Sequence, residues 1–189
     1  MLKERQGENF MKKVLIISTS IRTGANSEIL AHETERGALD AGHDVEFVSL
    51  KDKDIKFCKG CLACQKLGKC VIDDDVNEIM FKMLNSDVIV WSTPVYYYEM
   101  SGQMKTLIDR CNALYEMDYK FREVYLITTS ADDEEGVIQT VVNGLDGWIA
   151  CLDKAKFSGC VEAGGLNKPN DVYNKPDVME KAYNMGKNI

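Results

Sequence analysis

The stretch "KVLIISTSIRTGANSEIL", residues 13–30, decides the fold because it joins a strand, a polar loop and the start of a helix. Its first six residues form a short, β-branched apolar run, which is typical of a strand buried on both faces. The helix that follows is predicted over residues 26–42, with Asn26 or Ser27 as its cap and Gly42 at its end. A buried strand that leads through a short loop into a helix predicts an α/β sheet.

The rest of the chain repeats this alternation of strands and helices. Further strands are predicted at 44–50, 87–92, 123–129 and 154–163, and further helices at 76–86, 103–115, 136–152 and 176–187. Short connections between alternating elements imply a parallel sheet with helices on both faces. We expect an α/β, flavodoxin-like three-layer sandwich with five parallel strands in the order 2-1-3-4-5, which binds ligands at the carboxyl ends of the strands. A single flavodoxin-like domain should span residues 11–189, after a flexible tail at 1–10.

Composition restricts the classes of partner. The 189 residues include 23 basic and 30 acidic side chains, for a net charge of −7, whereas nucleic acids and anionic membranes require a basic protein face. No apolar run approaches the roughly 20 residues of a membrane helix. The charged N-terminus is unlike a signal peptide, so the seven cysteines indicate a reducing compartment, where thiols serve metal or redox chemistry. We expect a cytoplasmic protein that binds neither nucleic acid nor membrane.

The loop after the first strand is rich in groups that bind phosphate. It lacks the G-x-G-x-x-G fingerprint of dinucleotide sites and the lysine of the P-loop. It offers instead a helix N-terminus, a guanidinium, an amide and several hydroxyls, from Arg22, Asn26, Ser18, Thr19, Ser20, Thr23 and Ser27. Many donors that converge on one point suit the terminal phosphate of a mononucleotide. The alternative is an ordinary polar loop in which Asn26 or Ser27 only caps the helix.

Two segments resemble the NADPH-dependent FMN reductase family of flavodoxin-like proteins. Its S-x-R-…-N-[ST] pattern is reproduced by Ser20, Arg22, Asn26 and Ser27. Residues 92–110, "STPVYYYEMSGQMKTLIDR", are similar to its S-P-V-Y-…-S-x-x-[LM]-K-…-D-R segment, with Thr93 where serine is common. The resemblance implies FMN as the cofactor and NAD(P)H as the electron donor. It also implies that the loop at residues 94–98 lines the isoalloxazine ring and that residues 128–131 approach it. The ring-binding residues would then be Pro94, Val95, Tyr96, Tyr97, Tyr98, Thr129 and Ser130.

Four cysteines with C-x2-C-x2-C-x5-C spacing form the other motif: Cys58, Cys61, Cys64 and Cys70. The spacing lacks the two separated pairs of most zinc sites and the proline-flanked fourth cysteine of bacterial ferredoxins. Disulfides are disfavoured in a reducing cytoplasm. Two interpretations stay open. The run is similar to the compact motif of iron–sulfur flavoproteins, which implies a [4Fe–4S] cluster on all four thiolates, and it also resembles flavodoxin-like relatives that carry bare thiols in a capping loop.

The remaining cysteines and the two histidines are not assigned any chemistry. Cys111, Cys151 and Cys160 lie in helix or strand patterns and are predicted to be buried small hydrophobic residues. His32 and His43 flank the first helix and are predicted to face solvent.

These features support three functional hypotheses. The first is an FMN-dependent NAD(P)H oxidoreductase that passes electrons to a quinone, an azo or nitro compound, or a flavin, with no catalytic side chain named because the cofactor supplies the chemistry. The second is an iron–sulfur flavoprotein that relays electrons between a [4Fe–4S] cluster and FMN for a ferredoxin-like partner. The third is a flavin-binding regulatory domain whose thiols sense oxidants. The resemblance implies a homodimer or homotetramer, and at least one of the three tyrosines is expected at a subunit interface.

Overall fold

A parallel sheet forms the centre of the computed structural model, which describes residues 10–189. Its five longer strands take the order β2-β1-β3-β5-β6. They are β1 (Lys13–Ser18), β2 (Asp44–Ser49), β3 (Val88–Tyr96), β5 (Glu123–Thr129) and β6 (Lys156–Ala163). A two-residue strand, β4 (Glu99–Met100), pairs antiparallel with the end of β3. The predicted flavodoxin-like order is confirmed, with one short strand more than expected. The predicted tail lies, apart from Phe10, outside the described residues.

Helices cover both faces of this sheet. On one face lie α1 (Asn26–Asp40) and α6 (Pro176–Lys187), and on the other α3 (Val76–Asn85), α4 (Gly102–Arg110) and α5 (Gln139–Ile149). A short helix that the sequence did not predict, α2 (Ala63–Leu67), lies inside the cysteine loop. Two 3₁₀ helices, Cys111–Glu116 and Asp171–Asn174, follow α4 and precede α6. Within residues 10–189, no helix is both long enough and apolar enough to cross a membrane.

Strand β1 shows why its apolar run is uninterrupted. Leu15 and Ile17 pack into the core beneath α3, α4 and α5, whereas Val14 and Ile16 pack into the core beneath α1 and α6. All four side chains are fully buried. Because successive side chains of a strand point to opposite faces, a strand covered on both sides needs an apolar residue at every position.

Two glycines allow α1 and α6 to pack at close range. A Cβ atom at Gly186 would lie 2.0 Å from the carbonyl oxygen of Thr34, and one at Gly37 would lie 2.0 Å from that of Tyr183. The Thr34 hydroxyl donates to the Ala182 carbonyl across the same contact at 3.0 Å. This packing fixes the C-terminal helix, and with it the loop before that helix, against α1.

The carboxyl ends of the central strands lie side by side. Ser18 pairs with Ser92 in the β1–β3 register, and Thr93 pairs with Thr128 in the β3–β5 register. The loops at 19–25, 50–75, 97–98 and 130–138 therefore all leave the same edge of the sheet, where parallel α/β folds bind ligands.

His43 is the histidine whose predicted location is wrong. It is buried just before β2, where its Nδ1 accepts a hydrogen bond from the Lys12 N–H at 3.3 Å. Burial lowers the pKa of this imidazole, and the charge of Lys12 lowers it further. His32 is exposed as expected and stacks on Phe47.

Candidate functional site: the phosphate loop and the cysteine loop

The loop after β1 is attached to the central strands before it reaches α1. The Thr19 N–H and the Thr19 hydroxyl both donate to the Ser92 carbonyl, each at 2.9 Å. The same hydroxyl lies 3.0 Å from Oγ of Ser101, the N-cap residue of α4. Thr19 thus joins the loop to β3 and α4, and its hydroxyl is already used within the protein.

Helix α1 begins without a side-chain cap. Its N-cap position is occupied by Ala25, so the interpretation of Asn26 or Ser27 as the cap is wrong. The first N–H groups of a helix have no acceptor within the helix, and those of residues 26–28 find none elsewhere among the described residues. These N–H groups and the helix dipole favour an anion at this point.

Two buried hydroxyls close to this helix terminus also have no partner. They belong to Ser18, at the end of β1, and Ser27, in the first turn of α1, and neither Oγ atom has a hydrogen-bond partner among residues 10–189. Both side chains are almost fully buried. A buried polar atom without a partner is rare in folded proteins and often marks the place of a ligand or water. The uncapped helix and these hydroxyls fit a phosphate group.

Asn26 makes different contacts from those its sequence pattern implies. Its side-chain amide donates to the Lys168 carbonyl at 2.9 Å, and its Oδ1 accepts from the Val172 N–H at 3.1 Å. The Asn170 N–H donates to the Gly24 carbonyl beside it at 3.0 Å. The Asn26 side chain therefore fastens the loop before α6 onto the phosphate loop, and only its backbone N–H remains for a ligand.

Two cations flank the phosphate loop on the solvent side. Arg22 is exposed, and its guanidinium makes only a long contact of 3.5 Å with the Asn167 carbonyl. Lys51 donates to the Thr23 hydroxyl at 2.8 Å. Arg22 could be identified from the sequence, but Lys51 could not, because Lys51 follows β2 and reaches the loop only through the pairing of β1 with β2.

The predicted aromatic loop is a tight hairpin turn between β3 and β4. Tyr97 and Tyr98 occupy its two central positions with φ of +52° and +65°, a conformation that non-glycine residues rarely adopt. All three tyrosines are exposed, and the Tyr97 side chain is fully so. Strained residues persist where the surrounding structure fixes them, often at ligand sites. The turn therefore presents Tyr96, Tyr97 and Tyr98 to solvent as surfaces for a planar ring or a neighbouring chain.

The loop after β5 meets this aromatic turn. The Tyr98 hydroxyl donates to Oδ2 of Asp132 at 3.3 Å, and the charge of Asp132 raises the pKa of that phenol. The Ser130 hydroxyl donates to the Asp132 carbonyl at 2.6 Å and is used within its own loop. Residues 128–131 thus lie next in sequence to Asp132, which contacts the aromatic turn.

A buried ion pair closes the cysteine loop at its base. Both guanidinium Nη atoms of Arg110 donate to the Asp74 carboxylate, at 2.7 and 2.9 Å, and both side chains are fully buried. The Asp74 carboxylate also accepts from the Lys56 N–H at 3.0 Å, and Arg110 donates to the Lys56 carbonyl at 2.5 Å. Residues 56 and 74, on either side of the four cysteines, are held together by this pair.

The electrostatics of the Arg110–Asp74 pair favour its charged form. Burial raises the pKa of the Asp74 carboxyl, but hydrogen bonds from Arg110 and from the N–H groups of Lys56 and Val76 outweigh burial, so the pKa lies below its usual range. The pair therefore stays ionised at neutral pH. The sequence pattern gave neither residue a role, because Asp74 and Arg110 lie 36 positions apart in the chain.

Neighbouring elements fix the backbone within the cysteine loop. The Asn77 side chain accepts from the Cys70 N–H at 2.8 Å and donates to the Cys70 carbonyl at 3.0 Å. The Asn112 amide donates to the Cys64 sulfur at 3.5 Å, and the Gly60 N–H donates to the Cys58 sulfur at 3.4 Å. Two of the four sulfurs thus already accept hydrogen bonds, as sulfur ligands of metal centres commonly do.

All four cysteines line one cavity of about 350 Å³, together with Arg110 and Asn112. Cys58 and Cys61 are exposed, and Cys64 and Cys70 are half-buried. Within residues 10–189, no three His, Cys, Asp or Glu side chains converge as the ligands of a single metal ion do. A [4Fe–4S] cluster takes each thiolate on a separate iron. The four cysteines that line this cavity supply the number of thiolates that such a cluster needs.

Of the three cysteines outside the loop, one is buried as predicted and two are exposed. Cys111 is buried, and burial raises the pKa of its thiol to about 12. The prediction is wrong for Cys151 and Cys160, which are exposed. Cys151 follows the last residues of α5 in a turn, and Cys160 lies on β6, an edge strand with a neighbour on one side only.

The phosphate loop and the cysteine loop border a common groove. Ile21 of the phosphate loop, Phe57 of the cysteine loop and Gly102 of α4 line a depression of about 370 Å³. The two predicted sites therefore lie along one side of the molecule, although the sequence separates them by more than thirty residues.

Comparison with known proteins identifies the family of this chain. Residues 12–143 match the model of the NADPH-dependent FMN reductase family. An iron-sulfur flavoprotein of Methanocaldococcus jannaschii is 33% identical over 183 residues, which cover 94% of this chain and 95% of that protein. An iron-sulfur flavoprotein of Methanosarcina thermophila is 30% identical over 154 residues, 78% of this chain and 81% of that protein. A solved NAD(P)H:quinone oxidoreductase from Methanothermobacter marburgensis has a TM-score of 0.76, covering 95% of this chain and 96% of its own, at 15% identity, which is a likeness of fold alone.

Proposed function

The chain belongs to the NADPH-dependent FMN reductase family and is an NAD(P)H-dependent flavin oxidoreductase, and from that premise we propose that its cysteine loop holds a [4Fe–4S] cluster that exchanges electrons with the flavin. The observation that carries the proposal is the cavity lined by Cys58, Cys61, Cys64 and Cys70. Two relatives named iron-sulfur flavoprotein support it. When bound, FMN takes a hydride from the nicotinamide and the cluster carries single electrons.

The phosphate of FMN would bind at the uncapped start of α1. The N–H groups of residues 26–28 and the unpartnered hydroxyls of Ser18 and Ser27 supply donors at this point. Arg22 is exposed and free to close over the anion from the solvent side. A dianionic phosphate surrounded by neutral donors and one arginine forms the charge-assisted hydrogen bonds that contribute most to its affinity.

The isoalloxazine ring would lie against the aromatic turn. Backbone groups of residues 94–98 can bond its polar edge, and Thr129 and Ser130 border the same place through the Tyr98–Asp132 contact. Side chains of Tyr96 and Tyr98 can stack on a planar ring, as aromatic pairs do. Residues 11–189 would then act as one FMN-binding domain.

The surface of the cysteine loop suggests a negatively charged protein as one electron partner. Lys59, Lys66 and Lys69 are exposed between the first and the last cysteine, and residues 58–70 include no acidic side chain. This local excess of positive charge stands out on a chain with a net charge of −7. Opposite charges guide association over about a Debye length. A ferredoxin-like acidic protein fits this surface, and a small quinone, azo compound, nitro compound or flavin remains the acceptor of the simpler reductase.

Exposed apolar side chains near both sites favour a homodimer or homotetramer. Phe57, Leu62, Leu67 and Val71 are each more than half exposed on or beside the cysteine loop, and Tyr97 is fully exposed on the aromatic turn. Apolar groups concentrated in this way are typical of protein interfaces. A second copy that covers these side chains would exclude water from both cofactors.

Cofactor analysis tests the cluster directly. We expect protein purified without oxygen to contain one FMN and about four irons per chain, with matching acid-labile sulfide. Cys64→Ser should lose iron and keep FMN, whereas Cys151→Ser, which changes an exposed thiol outside the loop, should keep both. Flavin without iron would indicate a simple FMN reductase with bare thiols. If neither flavin nor iron were bound after incubation with FMN, the cluster protein and the simple reductase would both be contradicted.

Stopped-flow oxidation tests the partner. Lys66→Glu should slow electron transfer to an acidic ferredoxin-like protein at low ionic strength and leave reduction of a small quinone unchanged. Lys156→Glu, at the opposite edge of the sheet, is the matched control. Equal rates for both variants with the protein acceptor would show that the lysines of the cysteine loop do not guide a partner.

A further inference from the structure

Arg110 lines the cysteine cavity, and its Nε–H has no hydrogen-bond partner among residues 10–189. Its side chain is fully buried. The two Nη atoms bond Asp74 and the Lys56 carbonyl, but Nε–H finds no acceptor among the described residues. A buried guanidinium N–H normally has a hydrogen-bond partner. Without one, burial costs the N–H the hydrogen bonds to water that it made in the unfolded chain. Arg110 borders that cavity, from which a bound group could supply the acceptor.

Cys70 lines the same cavity as this guanidinium. Burial lowers the pKa of Arg110, and its interactions with Asp74 and then with Cys70 raise the pKa above its ordinary value. The backbone of Cys70 is held on both sides by Asn77. A thiolate at this position would therefore meet a fixed cation rather than a mobile one.

We propose that Arg110 is a positioning residue for the cluster, with two effects: it holds the base of the cysteine loop through Asp74, and its Nε–H and charge raise the reduction potential of the cluster at the Cys70 side. The inference rests on the proposed function, since it concerns the same cavity. Reduction adds one electron, which the reduced flavin loses, and breaks no bond. The added negative charge is stabilised by a nearby cation and by N–H···S hydrogen bonds, both of which raise cluster potentials.

The ion pair makes the sign of this effect testable. Arg110 and Asp74 occupy one buried location, so Arg110→Gln removes the positive charge from beside the cavity, and Asp74→Asn removes the negative one. If the charge of Arg110 acts on the cluster, the two variants shift the potential in opposite directions. If the pair only shapes the loop, both variants loosen the same contact and shift the potential alike or not at all.

The experiment is a redox titration of the full-length protein, loaded with FMN and iron without oxygen and followed by the electron paramagnetic resonance of the reduced cluster. Relative to wild type, Arg110→Gln should lower the equilibrium constant for cluster reduction about tenfold, which is about 59 mV for one electron. Asp74→Asn should raise it, and Arg110→Lys should lie between wild type and Arg110→Gln. A wild-type potential in Arg110→Gln at full iron content, or shifts of the same sign in both variants, would overturn the proposal.

Two controls separate this inference from the proposed function. Wild-type protein that binds FMN but no iron would end the cluster proposal itself, whatever the variants do. If wild type holds about four irons and both Arg110→Gln and Arg110→Lys bind FMN normally but no iron, then Arg110 only shapes the loop and the effect on potential is rejected.

Discussion

Replacing Ser27 with alanine should stabilise the protein without FMN and weaken its binding of FMN. The Ser27 side chain is 1% exposed, and its Oγ has no hydrogen-bond partner among the described residues. Ser27 lies in the first turn of α1, next to N–H groups that also lack acceptors. A hydroxyl buried without a partner destabilises the empty protein, and the same hydroxyl is available to a bound phosphate.

The two effects have estimable magnitudes. An unsatisfied buried hydroxyl costs roughly 1–3 kcal/mol, so its removal should raise the free energy of unfolding of the FMN-free protein by about 1 kcal/mol or more. A hydrogen bond to a charged acceptor contributes about 1.5–3 kcal/mol. Its loss should therefore raise the Kd for FMN by roughly 10- to 100-fold, at about 1.4 kcal/mol for each factor of ten.

Urea unfolding of the FMN-free protein and fluorescence titration with FMN measure both quantities. Ser92→Ala is the matched control, because Ser92 is equally buried but its hydroxyl donates to the Ser27 carbonyl at 2.8 Å. That variant loses a satisfied hydrogen bond and should be less stable by about 1 kcal/mol, with a nearly unchanged Kd. A Ser27→Ala protein that is less stable than wild type and binds FMN as tightly would refute the assignment of this hydroxyl to phosphate.

Three further predictions concern stability. Asp74→Ala should lower the free energy of unfolding by about 3–5 kcal/mol, because it leaves the Arg110 charge buried without its partner. Asp73→Ala changes an exposed neighbour and should stay within about 0.5 kcal/mol of wild type, with both variants measured by urea unfolding. Gly186→Ala should lose about 1–3 kcal/mol from its contact with Thr34, and Gly147→Ala, with no atom within 4 Å of its new Cβ, should gain about 0.5–1 kcal/mol. Since the pKa of Asp74 is lowered in the folded protein, its contribution to stability is present above the unfolded pKa of about 4 and is lost as the pH falls further. From pH 5 to pH 2, the free energy of unfolding should therefore fall more steeply in wild type than in Asp74→Asn. Equal slopes would contradict this link between the Asp74 pKa and stability.

The sheet could be predicted from the sequence because its signal is local. The run at residues 13–18 is apolar at every position, and the structure buries alternate residues in two different cores. Such a run requires helices on both faces, and alternation with helices then gives a parallel sheet. Cys160 was wrongly predicted to be buried, because a β-strand pattern does not distinguish an edge strand such as β6 from a central one.

The candidate sites could be predicted only in part, because their geometry depends on contacts between distant segments. Arg22 and Ser27 follow β1 directly, so their place at the ligand edge follows from the fold. The use of the Asn26 side chain does not, since its partners lie more than 140 residues later. Loop backbones choose among acceptors that only tertiary structure brings within reach.

The Arg110–Asp74 pair also explains how a loop with four thiols keeps its shape. Small metal-binding domains often fold only when the metal is present, because binding has to order the ligands. Here the pair ties residues 56 and 74 together, and Asn77 holds Cys70 by two hydrogen bonds. The ordering of the loop is thus accomplished by folding of the protein itself. A cluster that entered a cavity already built this way would bind without an added penalty for ordering the chain. The same rigidity would keep the proposed effect of the Arg110 charge constant from molecule to molecule.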